Sequence, residues 1–223
     1  MIDEKNISEK GSAFLKLSLY ALLGVLLELL ILLIEILVYG KSINHLSFTG
    51  AEKILHWILT CITWTAVSYQ LIKTSREKYK FDIFKYRNSL DLKNWLLCLI
   101  LLTVSISNSL IDWNGFKVLK EFLYYGWLQF IFQYIYYLFE TILVVLIIIF
   151  AQKAGEIWFR KDKIPWGGIF VGSTWGLLHI VTKFQLYAGL SAFIEGLLFG
   201  VAYLASRKDL RIAYPLIFLM FVL

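Results

Sequence analysis

The sequence predicts an all-α fold: a polytopic transmembrane helix bundle with about seven membrane segments. Hydrophobic residues make up 59% of the 223, and charged residues only 17%. A soluble domain is nearer half apolar and a quarter charged. Mean hydropathy is +0.70, and the apolar residues fall in runs near the ~20 that a helix needs to cross a bilayer. No stretch alternates polar and apolar as membrane strands do.

The first run, 14–39, follows a polar start and is too long for the apolar core of a cleavable signal peptide. Runs 51–72 and 92–112 follow. Residues 115–125 (GFKVLKEFLYY) read as a short amphipathic interfacial helix. Run 127–151 continues as helix to about Arg160, because no glycine or proline lies between Trp127 and Ala154. Run 167–182 is short, 187–206 is of ordinary length, and 210–223 ends at Leu223. Residues 1–124 form three spans plus the interfacial piece, and 125–223 form the second part. Cys61 and Cys98 each fall inside a span without metal-site spacing, so they read as small apolar packing residues.

The net charge is +6, and the basic residues sit between the apolar runs. With the N-terminus in the cytoplasm, inside regions carry 17 Lys and Arg and outside regions five. That is the asymmetry of a plasma-membrane protein. Topology therefore accounts for the charge without nucleic acid, and the lipid bilayer is the first partner.

An ionisable side chain in a span costs at least ~2.5 kcal/mol, so it stays where it has a partner or a task. The candidates are Glu28, Glu35, Glu140, Glu156, His179 and Glu195. Glu28 and Glu35 share a helix face and are candidates for a proton path or for interior pairing. Counted from a turn near Lys161–Pro165, Glu156 lies roughly 10 Å up one helix and His179 roughly 20 Å up the next. Glu140 lies farther off, so Glu156 is expected as the partner of His179, in a cavity facing the cytoplasmic half. Glu195 falls near the histidine's level. His45 and His56 lie at the far ends of their spans and are left out of the site. Gly168, Gly172 and Gly176, and Ala192, Gly196 and Gly200, form two small-residue faces that predict close packing of the fifth and sixth segments.

Residues 155–160 (GEIWFR), 175–179 (WGLLH) and Gly196, Gly200 and Tyr203 together resemble motifs of the CPBP intramembrane proteases, also called the CAAX-protease and bacteriocin-processing (Abi) family. Glu156 and Arg160 match the family's Glu-Glu-x-x-x-Arg, with Gly155 at the first Glu. Trp175 to His179 match Phe-x-x-x-His with Trp for Phe. The resemblance covers about 125–223. The stretch between the two motifs is short, and the final helix lacks the family's third motif, His-x-x-x-Asn or His-x-x-x-Asp.

The resemblance implies a peptidase in which Glu156 acts as base, His179 as its partner, and Arg160 as an orienter. Glu195 is the candidate replacement for the missing motif. The missing oxyanion donors are each worth ~10²–10³ in rate, so the expectation is a diverged peptidase or pseudoprotease binding a peptide or membrane-protein segment. Alternatives are a non-enzymatic self-immunity or partner-binding protein and a small proton-coupled transporter using Glu28, Glu35 and Glu140. Cofactor use stays open; Glu156, His179 and Glu195 are a thin ligand set for zinc. Arg160 and Lys153 also stand at i+4 and i−3 from Glu156, where an ordinary helix-surface ion pair can form.

Overall fold

The computed structural model describes residues 2–41 and 48–223, with side chains from Ile7 onward except 181–183. His45 lies outside the described residues. The described chain is a bundle of helices: α1 (Ile2–Tyr39), α2 (Gly50–Glu77), α3 (Leu92–Asp112), α4 (Lys117–Phe159), α5 (Trp166–Val171), α6 (Leu177–Lys183), α7 (Leu186–Ala205) and α8 (Leu210–Val222). A π-helical turn, Gly172–Gly176, joins α5 to α6.

Four helices are long and apolar enough to cross a membrane: α1 from Ile7, α3, α4 and α7. The other three predicted segments fall short for different reasons. His56, Gln70 and several Thr and Ser residues within 54–72 lower the hydropathy of α2. The fifth segment is divided by the π turn. The last helix has 13 residues.

α4 is the hub. α1, α2, α5 and α8 pack on it, while α7 gathers α3, α5, α6 and α8. Residues 142–151 are apolar without exception, and within them Leu143, Ile147, Ile148 and Phe150 are fully buried. Gly126, at φ 70° and ψ 169°, separates the interfacial first part of α4 from the long second part. That backbone is one glycine adopts without a Cβ penalty. Ser18 Oγ on α1 donates to the Ile147 carbonyl at 2.9 Å, and Tyr214 Oη on α8 donates to that of Leu138 at 2.9 Å.

Pro165 offers α5 no side-chain cap. Gln152, buried on α4, supplies one from outside. Its Oε1 accepts from the Gly167 N–H at 3.1 Å, and its Nε2 donates to the Ile164 carbonyl at 2.9 Å. The approach is close enough that a Cβ on Gly167 would lie 2.2 Å from the Ile148 carbonyl oxygen. A Cβ on Gly155 would meet the Trp166 ring at 2.3 Å. Position 155 therefore has no room for a side chain while Trp166 keeps its place.

The glycine faces of α5–α6 and α7 meet. A Cβ on Gly200 would lie 2.4 Å from Gly168 Cα, and one on Gly196 would lie 2.7 Å from Gly172 Cα. At the end of the bundle near α4's C-terminus, the 78–91 loop is tied to the α7–α8 turn rather than freely solvated. Asn88 N–H donates to Asp209 at 3.0 Å, and Arg207 reaches Ser89 and Asp91. Hydrogen bonds from Arg211 hold the Asp209 carboxyl at about 2, below the usual carboxylate range.

Gly172→Leu or Gly196→Leu puts a side chain where two backbones touch, so it is expected to cost more than the ~1–3 kcal/mol typical of overpacking. Thermal unfolding in detergent measures it, and an unchanged Tm for both variants would place the seam elsewhere.

Candidate binding cavities

Most of the acidic groups that the sequence places in spans gather at one end of the bundle, where α1 ends and α2 begins. His56 on α2 is almost fully buried and sits between two carboxylates of α1. Its Nδ1 is 2.7 Å from Glu35 Oε2 and its Nε2 is 3.3 Å from Glu28 Oε1. Both nitrogens of the imidazole thus face a carboxyl oxygen, and as the cation it donates to both. Tyr136 Oη on α4 also donates to Glu28, at 2.8 Å. The seven-residue spacing of Glu28 and Glu35 thus builds one interior cluster.

This cluster borders a cavity of about 500 Å³. Glu35, His56, Trp57, Tyr136, Tyr137, Glu140 and His179 are among its walls. A second cavity of about 410 Å³ lies between α3 and α6–α7, with Asn108, Asp112, Ser191 and Glu195 in its lining. Trp113, Lys117, Trp175, His179 and Phe221 line both and form the wall between them. His179 Nδ1 lies 3.0 Å from the Trp175 carbonyl, which fixes the ring against that wall. The π turn ends three residues before His179, and such turns often mark functional positions.

Glu195 and His179 line the same cavity, but Glu195 bonds elsewhere. It accepts from Ser105 Oγ at 2.7 Å and from Asn108 Nδ2 at 2.9 Å. Asn108 and Asp112 also bond Ser191. These contacts join α3 to α7 through a satisfied polar network.

The expected pairing of Glu156 with His179 is not formed. Glu156 accepts from Lys208 Nζ at 2.7 Å and from Gln152 Nε2 at 2.9 Å. Because Gly155 packs against Trp166, Glu156 is level with the start of α5, and His179 lies thirteen residues on, roughly 20 Å away along the axis. Counting up both helices from the turn underestimated this, because α4 ends at Phe159 and the connection to α5 is only six residues long. The cavity accordingly lies at the opposite end from Glu156, and Glu140 rather than Glu156 shares it with His179. The helix-surface ion pair to Lys153 or Arg160 is not made either. Lys153 lies over the Phe81 ring, and Arg160 is exposed, ending α4 in the left-handed conformation at φ 52°.

His56, left out on sequence grounds, is central. The signal for it was the hairpin register: Glu35 lies four residues before the end of α1 and His56 six after the start of α2. Antiparallel helices joined there bring the two level. Among the described residues no group of three His, Cys, Asp or Glu side chains is placed to hold a metal ion. Cys61 and Cys98 are free thiols, both buried.

Comparison with models of known protein families, with curated proteins and with solved structures finds no match to this chain.

His56→Ala leaves two carboxylates facing each other without a cation and should destabilise the fold by ~3–5 kcal/mol, as for a broken buried pair. Denaturant unfolding in detergent measures it. His56→Ala combined with Glu35→Gln should recover part of the loss, and a single-variant loss below ~1 kcal/mol would show that the pair is not a structural bond.

Proposed function

We propose that this chain is a polytopic membrane protein and a non-catalytic relative of the CPBP proteases, binding a peptide or membrane-protein segment without cleaving it. One observation carries the reading: Glu156 is engaged by Lys208 and Gln152, while His179 stands far from it in the wall between two cavities. Water activation by this pair requires the two groups within hydrogen-bond reach of one site. α8 carries no His or Asn, and no Asp, so the oxyanion donors of the third motif have no counterpart there. What persists is space lined by aromatic and polar groups, in the size range of ligand sites.

The transporter reading has the acidic cluster in its favour and α4 against it. Between Glu140 and Gln152 that helix offers a single hydroxyl, Thr141, followed by the apolar stretch 142–151. A proton passed from Glu28 or Glu35 to Glu140 finds no carboxylate, histidine or lysine on α4 between Glu140 and Lys153 to carry it onward. The bilayer placement rests on the four long apolar helices and on the distribution of Lys and Arg, which puts the N-terminus and the 73–93 loop in the cytoplasm.

Two experiments test this. A cysteine at position 80 should escape a membrane-impermeant thiol reagent in intact cells, and labelling there would invert the topology. In a peptide-library assay, the purified protein should show no cleavage. His179→Ala should weaken peptide binding about tenfold, ~1.4 kcal/mol, and Glu156→Ala should leave it unchanged. Cleavage by the wild type that both variants abolish would restore the peptidase.

A further inference from the structure

The larger cavity holds two carboxylates whose hydrogen bonding is incomplete. Glu140, on α4, is 8% exposed and lines the cavity, yet it makes no hydrogen bond or ion pair among the described residues. Glu35 is 5% exposed. One of its oxygens meets His56, and the other, Oε1, is buried without a partner. Buried polar groups in folded proteins are almost always hydrogen-bonded, and Glu140, left short of donors on a cavity wall, points to a donor that comes from outside.

Lys117, Lys53 and His56 at the cavity each have partners of their own, and Lys117 also acts electrostatically on Glu140. Lys117 donates to the Phe221 carbonyl at 3.0 Å and lies over the Tyr137 ring. Lys53 lies over the rings of Tyr124 and Tyr125. His56 is held between Glu28 and Glu35. The walls also suit a positive charge. Trp57 and Tyr136 line it as a tilted pair with centroids 6.5 Å apart, and aromatic rings attract organic cations.

We propose that this cavity binds an organic cation bearing N–H donors, an alkylammonium or a guanidinium. Its nitrogen is received by Glu140, with the charge of Glu35 nearby in the same wall, and its apolar part lies against Trp57 and Tyr136. The need for N–H donors separates this class from quaternary ammonium ions, which leave the carboxylate oxygens unbonded. A guanidinium suits the site best, since its flat fork bonds carboxylates and stacks on rings at once. The cation has two possible sources: a free amphiphilic amine, or an Arg or Lys side chain of a bound segment. The second source rests on the peptide-binding reading given above.

The test uses the full-length protein in phosphatidylcholine nanodiscs, whose headgroups carry no N–H. Titration calorimetry compares phenethylguanidinium and phenethylammonium with neutral 2-phenylethanol. It also compares a hydrophobic pentapeptide with a central arginine against its alanine counterpart. The two small cations should bind saturably and at least tenfold more tightly than the alcohol. Glu140→Gln should weaken them at least tenfold with little change in Tm, since Glu140 has no intramolecular partner to lose. Glu35→Gln should weaken them too, and because it also disturbs His56, Glu140→Gln is the deciding variant.

Binding of the cations that Glu140→Gln leaves intact would overturn the proposal, as would equal binding of the alcohol or no binding of either cation. If the small cations bind through Glu140 and neither peptide does, the cation site stands and the peptide reading fails. If both peptides bind alike and the cations do not, the peptide reading stands and the cation site fails. Preference for the arginine peptide, lost in Glu140→Gln, would identify the side chain of a bound segment as the source.

Discussion

The contact of Gly167 with the backbone of Ile148 sets the rest of the structure. It fixes the height at which α5 starts along α4, and every axial distance at the site follows from it. Gln152 makes the contact possible by satisfying the N–H and carbonyl groups that Pro165 leaves uncapped. With α5 anchored there, Trp166 fills the space beside Gly155, and Glu156 is left facing Lys208 across the α7–α8 turn. His179 is carried away to the other end, to the level of Tyr136, Tyr137 and Glu140. The glycine seam with α7 then holds α5 and α6 at that height.

The polar groups consequently divide between two ends with different chemistry. Around Glu156, Asp209 and Asp91, each acid meets a Lys or Arg at hydrogen-bond distance. Around Glu28, Glu35 and Glu140 the bonded cation is a histidine, and the lysines lie over rings. The first end is an electrostatically closed set that holds loops together. The second has acids with bonding capacity to spare beside empty volume. The apolar residues 142–151 lie between the two ends along α4.

Much of the fold was legible in the sequence. Run lengths gave the helices, the amphipathic stretch 115–125 set the interfacial first part of α4 apart from the rest, and the two small-residue faces gave the α5–α7 seam, because in each case a local rule decides. The site was legible only in part. His179 and Glu195 were expected at one level near the glycine seam, since both were counted up from the inner ends of neighbouring helices, and both line the second cavity. The Glu156–His179 pairing depended on the axial register of α4 and α5, which Trp166, Gly155 and Gly167 determine through contacts no spacing rule contains. His56 was set aside for its distance from Glu156, a criterion that passed over the Glu28–His56–Glu35 cluster. The α3–α7 polar network escaped altogether, because it joins residues some 80–90 positions apart.

The π turn at Gly172–Gly176 amounts to one residue more than an α-helical path would use. A helix that lost that residue would regain α geometry, and everything after it would turn by about 100° relative to the glycine seam. His179 would then leave the wall between the cavities and face another helix or the outside of the bundle. The helical register that brings the histidine to this wall is thus set by the π turn. A single-codon deletion is enough to remove it from the site while leaving every residue of the two motifs in the sequence.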